Sequence, residues 1–497
     1  MTGSDVERRS LELIQGGSIA FFGGLTGRGL RFLVILLLGR VLGPQSFGLY
    51  ALSYSMIEIL RRLCLLGMDT GLVKFIPVLV LSNKTSEIRG MLVGAYTIVG
   101  FVGSLVGASL FVFSGVVSEQ IFGMQGLPSA LKVFAISLPF FCLVQLSAFA
   151  ARSFKRMTED VLIREVSHPF LTLFFCTMAF LFGYRLKGAV VAFLIAAVLS
   201  AFVGLVMVRR IFPPLLSNTE TSFHMKRLLR FSLPVVMIGF SQLLLSQTDR
   251  IMIGYYMAGK DVGVYSAAST IAVQMAMLLN AFIAILSPVM AELQHEGKVY
   301  ELEELLGRVT RWVLLVTVPI FLVLLFFPAQ VMGIYGSAYE IGWSTLVIIS
   351  FTCLFGVAFG PLGYLLVISG KQDLELINNV VMVTLNILLN IWLIPLYGIV
   401  GAAVATGSVF VLISLIRLVE VYWLMGLVPF SRKHLKPLGA ALVAAGVGFF
   451  LKRTLGSQGW WLFGSAIVVL TYIASILVLR LEREDKEAIS ALRGIRP

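Results

Sequence analysis

The stretch GGLTGRGLRFLVILLLGRVLG, Gly23 to Gly43, reads as a membrane-crossing helix with two arginines inside it. Its apolar run is long enough for a hydrocarbon core about 30 Å thick. Arg28 and Arg31 nevertheless lie within it, one helical turn apart. One arginine at mid-bilayer costs about 2.5–3.5 kcal/mol on insertion scales, so such residues face a bundle interior or an aqueous cavity. The stretch therefore predicts one helix of a larger membrane bundle with a polar interior.

Composition extends that reading to the whole chain. Of 497 residues, 58% are hydrophobic and 13% charged, and mean hydropathy is +0.95. A soluble domain carries about 25% charged residues. The expected fold is an all-α polytopic membrane protein of about 14 transmembrane helices. Apolar runs between polar or turn-forming breaks place them near 13–39, 46–69, 90–113, 128–150, 162–182, 188–208, 229–256, 262–289, 309–327, 342–368, 374–394, 398–424, 436–451 and 460–480.

The net charge of +13 follows this topology and does not indicate nucleic acid. Arg40, Arg185, Lys187, Lys260, Lys452 and Arg453 fall in loops on one side, while the other loop cations, including Arg8, Arg9, Arg209, Arg210 and Lys433, fall on the opposite side. Cytoplasmic loops hold the excess of Lys and Arg, which predicts a cytoplasmic-membrane protein with both termini inside. The first apolar segment lacks a small-residue cleavage site and is read as a retained helix. Trp312, Trp343, Trp392, Trp423, Trp460 and Trp461 lie at or near span ends, as in an interfacial aromatic belt. Cys64, Cys142, Cys176 and Cys353 fall in apolar segments without paired spacing, which argues against disulfides and cysteine-based metal binding.

An internal repeat organises the spans. GRVLGPQSFGLYALSYS, from Gly39, matches GYYMAGKDVGVYSAAST, from Gly254, with Gly39, Gly48 and Tyr50 each 215 residues before Gly254, Gly263 and Tyr265. FIPV ending at Val78 pairs with LSPV ending at Val289, and LKGAVVA from Leu186 pairs with IVGAAVA from Ile399. Six spans separate the units, so both have the same orientation. The expectation is two six-helix lobes related by a pseudo-two-fold axis along the membrane normal, plus two C-terminal helices. The corresponding divisions are 1–210, a cytoplasmic linker at 211–227, 228–426, and 427–497 with the last two helices and a tail.

TDRIMIGYYMAGKDVGVYSAAST (248–270), LYGIVGAAVATG (396–407) and LLLGRVLGPQSFGLYAL (36–52) resemble the corresponding segments of Wzx-type oligosaccharide flippases. These belong to the superfamily that also holds multidrug exporters and the lipid II flippase, and the resemblance spans essentially the whole chain. It implies alternating access and transport of a polyprenyl-(di)phosphate-linked oligosaccharide for cell-surface glycan synthesis. It further implies membrane lipids and glycan-assembly enzymes as partners, with a proton or sodium ion as coupling ion.

The cations placed inside spans are Arg28, Arg31, Arg61, Arg62, Lys132, Arg250 and Arg417, against few acids, chiefly Glu58, Asp249 and Glu420. A guanidinium suits bidentate phosphate recognition, so Arg28, Arg31, Arg61, Arg62 and Arg250 are the candidate diphosphate ligands. Structural readings stand beside this one. Glu58 can pair locally with Arg61 or Arg62, Arg417 can pair with Glu420 or snorkel, Lys132 can snorkel, and Arg28 and Arg31 can pair across helices. Gly23, Gly24, Gly27 and Gly29 would permit close helix approach or bending. Asp249 is the candidate for ion coupling, with a structural pair as its alternative. Gln242, Gln247, Gln274, Asn280, Asn378, Asn386 and Asn390 can hydrogen-bond sugars or hold helices together.

Other functions find less support. There is no G-x-x-x-x-G-K-[ST] element for ATP, and His168, His224, His295 and His434 are isolated, so no cofactor or metal is expected. A membrane glycan polymerase or ligase would carry a large extracytoplasmic catalytic loop, which is missing here, so the chain is read as not an enzyme. A cation-coupled drug or metabolite antiporter of the same superfamily remains the alternative, although the first span carries only Glu12 at its entrance.

Overall fold

The computed structural model describes residues 3–216, 225–427, 434–454 and 460–479, with side chains from residue 22 onward except at positions within 216–242 and 278–288 and at 454. These residues are all-helical. In chain order the helices are α1 (Gly3–Cys64), α2 (Met68–Leu81), α3 (Thr85–Val116), α4 (Leu127–Ser153), α5 (Met157–Val161), α6 (His168–Leu181), α7 (Leu186–Ile211) and α8 (Met225–Tyr256). They continue with α9 (Gly259–Val273), α10 (Met277–His295), α11 (Val299–Phe326), α12 (Pro328–Gly333), α13 (Trp343–Ile368), α14 (Gln372–Met425), α15 (Leu435–Thr454) and α16 (Trp461–Val478).

Ten helices among the described residues are long and apolar enough to cross a membrane. Two are far too long for one crossing. The apolar part of α1 runs 43 residues and α14 runs 54, against about 20 for a single span. Each is divided by a glycine in a backbone conformation closed to other residues, Gly43 (φ 72°, ψ 168°) and Gly398 (φ 58°, ψ −137°). Pro44 reinforces the first bend, because it lacks an N–H and disfavours helical backbone at the residue before it. The spans expected at 13–39 and 46–69 thus become two arms of one bent helix, and those at 374–394 and 398–424 become two arms of another.

The chain forms two compact units that do not follow its linear order. The first comprises the described residues of Met1–Thr270 with Ile334–Tyr339 and Asn379–Ala405. In it α4 packs against α3 and α7, and α1 runs against α4, α6 and α8. Two repeat-related glycines touch within this unit. A Cβ on Gly48 would collide with the Gly259 carbonyl, and one on Gly263 would collide with the Pro44 carbonyl. Shifting Gly48 and Pro44 by 215 residues gives Gly263 and Gly259, so the repeat exchanges the two contacts, as a two-fold axis requires.

The second unit comprises Ile271–Gly333, Glu340–Asn378 and the described residues of Thr406–Pro497. One part of its core joins Met290, Leu302, Leu306, Leu365 and Val421. Another joins Val318, Leu322 and Phe327 of the α11 region to Ala440, Ala444, Val468 and Tyr472 of α15 and α16. Of the linker expected at 211–227, Ile211 ends α7, Pro213–Leu216 form a short 3₁₀ turn and 225–227 begin α8, while 217–224 lie outside the described residues. Trp343, Trp392, Trp423 and Trp460 are exposed.

Candidate functional site

The first unit contains a pocket enclosing about 700 Å³, its open mouth included. Val34, Ile35, Leu38, Phe47, Ala51 and Phe193 supply apolar wall, and Arg31, Tyr54, His168, Thr172, Arg250, Ser266 and Thr270 supply its polar groups. A small number of polar groups on a mostly apolar wall is the usual chemistry of a ligand site.

Both arms of α1 reach the pocket. From the first comes Arg31, whose guanidinium makes an ion pair with Glu165. Glu165 lies in a π-helical turn, Leu162–Ser167, just before Pro169. The Pro169 ring cannot pack over the carbonyl four residues back, that of Glu165, and the wider π turn relieves this clash. Gly27 permits the approach, since a Cβ there would stand 2.6 Å from both the Glu165 Cβ and its carbonyl oxygen. Gly23 likewise abuts Val161, whereas Gly24 and Gly29 face open space.

Glu165 also accepts a contact from Arg164 at 3.2 Å, and Asp160 joins Arg152 at 2.6 Å and Arg164 at 3.6 Å. Three arginines share two carboxylates in this chain of contacts, which leaves one net positive charge beside the pocket. The side chain of Arg31 remains 44% exposed.

Arg250 approaches from α8. Its Nη1 donates to Gln247 Oε1 at 2.9 Å and its Nη2 to Ser269 Oγ at 3.1 Å, both neutral partners. The adjacent Asp249 carboxylate turns elsewhere: Tyr265 donates to it at 2.5 Å, Asn390 at 2.8 Å and Asn386 at 3.5 Å. Asp249 is buried by these groups and does not line the pocket.

The other expected cations have different surroundings. Arg61 holds Glu58 through Nη2 (2.6 Å) and Nε (3.2 Å) and lies 4.8 Å over the Phe141 ring. Glu58 also accepts from Tyr54 at 2.6 Å. Arg62 donates to Asp69 at 2.9 Å. Arg28 is half-buried and, like Arg61 and Arg62, is not part of the pocket wall. In the second unit Arg417 makes a two-pronged pair with Glu375 at 2.5 and 3.0 Å, not with Glu420, which accepts from Asn378 at 2.7 Å. Lys132 sits 5.8 Å from the Phe111 ring centre. The scarcity of acids expected from the sequence is corrected accordingly, because Asp69, Asp160, Glu165 and Glu375 supply partners from span ends. Of the amides, Gln247, Asn378, Asn386 and Asn390 hold charged side chains. The side chains of Gln242 and Asn280 lie outside the described residues.

Sequence reasoning missed Tyr54, His168, Thr172, Ser266 and Thr270 as pocket residues. Tyr54, Ser266 and Thr270 had a signal, since they follow Tyr50 and Tyr265 in the two copies of the repeated segment. Among the described residues no group of three His, Cys, Asp or Glu could hold a metal ion.

Comparison with known proteins agrees with this architecture. The family model described as polysaccharide biosynthesis protein matches residues 13–294, and the MatE model matches residues 234–392. An uncharacterized membrane protein of Methanocaldococcus jannaschii, MJ1068, is 23% identical over 381 residues, 71% of this chain and 72% of its own. A probable low-salt glycan biosynthesis flippase of Haloferax volcanii, Agl15, is 24% identical over 462 residues, 91% of each chain. The solved structure of the lipid II flippase MurJ in an inward closed conformation has a TM-score of 0.74 at 16% identity, covering 93% of this chain and 98% of that one.

Proposed function

The chain belongs to the polysaccharide biosynthesis protein family, and we propose that it is a flippase carrying a polyprenyl-(di)phosphate-linked oligosaccharide across the cytoplasmic membrane by alternating access. It is a multi-pass membrane transporter, and the polymerase or ligase reading is set aside. The observation that carries the proposal is the placement of Arg31 and Arg250 in one largely apolar pocket. A guanidinium whose partners are a glutamine and a serine keeps its charge for an incoming anion, and phosphate oxygens match its fork. The net positive charge around Arg31 and Glu165 adds to that attraction. Arg28, Arg61 and Arg62 remain proposed as contacts the diphosphate meets outside this pocket, the last two by exchanging their partners Glu58 and Asp69 for phosphate.

Binding of a polyprenyl-diphosphate sugar to purified protein in nanodiscs tests the proposal. Loss of a charge-assisted hydrogen bond is worth about 1.5–3 kcal/mol, so Arg250→Ala should weaken binding roughly ten- to a hundredfold. Arg31→Lys should recover only part of what Arg31→Ala loses. Unchanged affinity in both alanine variants sinks the diphosphate site.

Asp249 is proposed as the coupling residue for a proton or sodium ion, on the ground that its buried carboxylate is held by neutral donors. The match of the MatE model to 234–392 favours a second reading, a cation-coupled drug or metabolite antiporter. Gradient-driven efflux of organic cations without flipping of lipid-linked glycan would establish that reading. Both termini and the 211–227 linker are proposed to be cytoplasmic. Labelling of a cysteine at Ser217 by an impermeant reagent outside intact cells would overturn that orientation.

A further inference from the structure

The ion pair between Arg31 and Glu165 is one end of a longer row of charges. Glu165 contacts Arg164 at 3.2 Å, Arg164 lies 3.6 Å from Asp160, and Asp160 Oδ2 accepts from Arg152 Nη2 at 2.6 Å and Nε at 2.8 Å. The row starts at Arg152, in the last turn of α4, and ends at Arg31 on the pocket wall. Phe149 helps to hold its far half, with the Arg152 and Arg164 guanidiniums 4.8 and 5.9 Å from one ring centre.

The two signs are unequally placed. The side chains of Arg152 and Arg164 are 32% and 31% exposed, whereas those of Asp160 and Glu165 keep 2% and 9%. The acids lie beneath the cations, and the accessible face of the row is positive. Lys155 and Arg156, exposed in the turn that joins α4 to α5, extend that face. With Arg31, the segment 152–165 brings five cations against three acids, Glu159, Asp160 and Glu165.

The repeat contains an internal comparison. Arg156 N–H donates to the Ala151 carbonyl at 3.1 Å and Lys371 N–H to the Leu366 carbonyl at 2.9 Å, the same turn displaced by 215 residues. That displacement carries Asp160 onto Glu375. Glu375 holds Arg417 in a two-pronged pair, and the arginine and glutamate side chains are only 14% and 11% exposed. An enclosed pair therefore suffices to tie down this helix end. The guanidiniums at the equivalent place in the first unit are twice as exposed, and each has more N–H donors than its contacts in the row use. Partly bonded guanidiniums on an accessible face are suited to phosphate oxygens.

We infer that Arg152 and Arg164 form a docking site for the diphosphate of the lipid-linked substrate, which passes from there to Arg31 across their shared carboxylates. At each step phosphate oxygens replace a carboxylate oxygen at a guanidinium, and only hydrogen bonds are exchanged. The inference rests on the flippase reading and adds to it an entry point at the α4–α5 turn.

Charges at the rim of a site set how fast a ligand arrives, whereas enclosed contacts set how fast it leaves. The probe is geranyl diphosphate, a short water-soluble polyprenyl diphosphate, mixed with the full chain in phosphatidylcholine nanodiscs. Joint Arg152→Gln and Arg164→Gln substitution should slow association roughly tenfold and flatten its dependence on salt, with dissociation within about twofold of the parent. Arg250→Ala should instead speed dissociation. Asp160→Asn removes a competing carboxylate and should speed association, whereas a merely structural row would only be weakened by it. Arg152→Lys keeps a charge beside Asp160 if the glutamine variant does not fold, and should slow association by a smaller factor. Association at the parent rate in the arginine variants, or slowed in Asp160→Asn, overturns the docking site while leaving the pocket standing. Retention of phosphatidylglycerol from mixed nanodiscs that depends on Arg152 and Arg164, with geranyl diphosphate arriving at the parent rate without them, also overturns it by assigning the site to a phospholipid head group. Failure of the parent protein to bind the probe overturns the diphosphate reading itself and the docking site with it.

Discussion

Gly48→Ala should drive apart α1 and α9, which meet at the repeat-related Gly48 and Gly263. The added methyl would lie well inside contact distance of the Gly259 carbonyl oxygen and 2.8 Å from the Gly263 nitrogen. Both obstacles are backbone, so no side chain can rotate aside. Reaching an ordinary separation of about 3.5 Å requires the helices to move by roughly an ångström or more. Overpacking of this kind costs about 1–3 kcal/mol. At about 1.4 kcal/mol per factor of ten, the ratio of separated to joined helices should rise roughly five- to 140-fold. Gly263→Ala should do the same through the Pro44 carbonyl, and the double variant should fall short of the sum because both methyls act on one crossing. The assay is oxidative cross-linking of a Gln45→Cys, Gly259→Cys pair, placed where a Cβ on Gly259 lies 3.4 Å from the Gln45 carbonyl oxygen. Cys64, Cys142 and Cys176 are buried and Cys353 partly so, which limits competing reactions. Cross-linking should slow in Gly48→Ala in proportion to the loss of the joined form, and so approach the range given only where the separated form predominates. A rate equal to the parent's, in protein that melts as the parent does, would refute the reasoning.

Two further outcomes follow from the charged clusters. Glu165→Ala leaves Arg31 without its carboxylate and should lower stability by about 1.5–3 kcal/mol, at the lower end because Arg31 is partly exposed, whereas Arg31→Ala leaves Glu165 with Arg164 and should cost less; thermal unfolding in detergent gives the order, and equal losses contradict the shared-carboxylate geometry. Asp249→Asn turns an amide N–H₂ toward groups that are themselves donors and should abolish dependence of transport on the ion gradient, while Tyr265→Phe should weaken that dependence without removing it; proteoliposome flux with and without a gradient separates the two, and normal gradient dependence in Asp249→Asn assigns the residue to structure.

The parts of this fold that were legible in the sequence are those fixed by local chemistry. Apolar runs announce spans, and the break expected between 39 and 46 falls at the Gly43-Pro44 bend. The site was less legible because its partners come from distant segments. Arg31 lies 134 residues from Glu165, and that carboxylate sits among Arg164, Asp160 and Glu159, so linear reading assigns the group to a polar boundary. The π turn adds a second obstacle, because it shifts the helical phase and brings both Glu165 and His168 inward. Arg417 shows the limit of spacing rules: Glu420 stands three residues on, yet the guanidinium finds Glu375 on the other arm of the same bent helix.

The separation between Arg31 and Glu165 also has a temporal meaning. Arg61 finds Glu58 and Arg62 finds Asp69 within a few residues, so those pairs can close as soon as the second arm of α1 emerges. Arg31 must wait for 134 more residues, about 7–27 s at 5–20 residues per second. During that interval its guanidinium needs water, lipid phosphate or the insertion machinery as a temporary neighbour. The nascent first arm should therefore linger at the edge of the bilayer until the α5–α6 segment is made, and a pause in translation before Glu165 would prolong that vulnerable state.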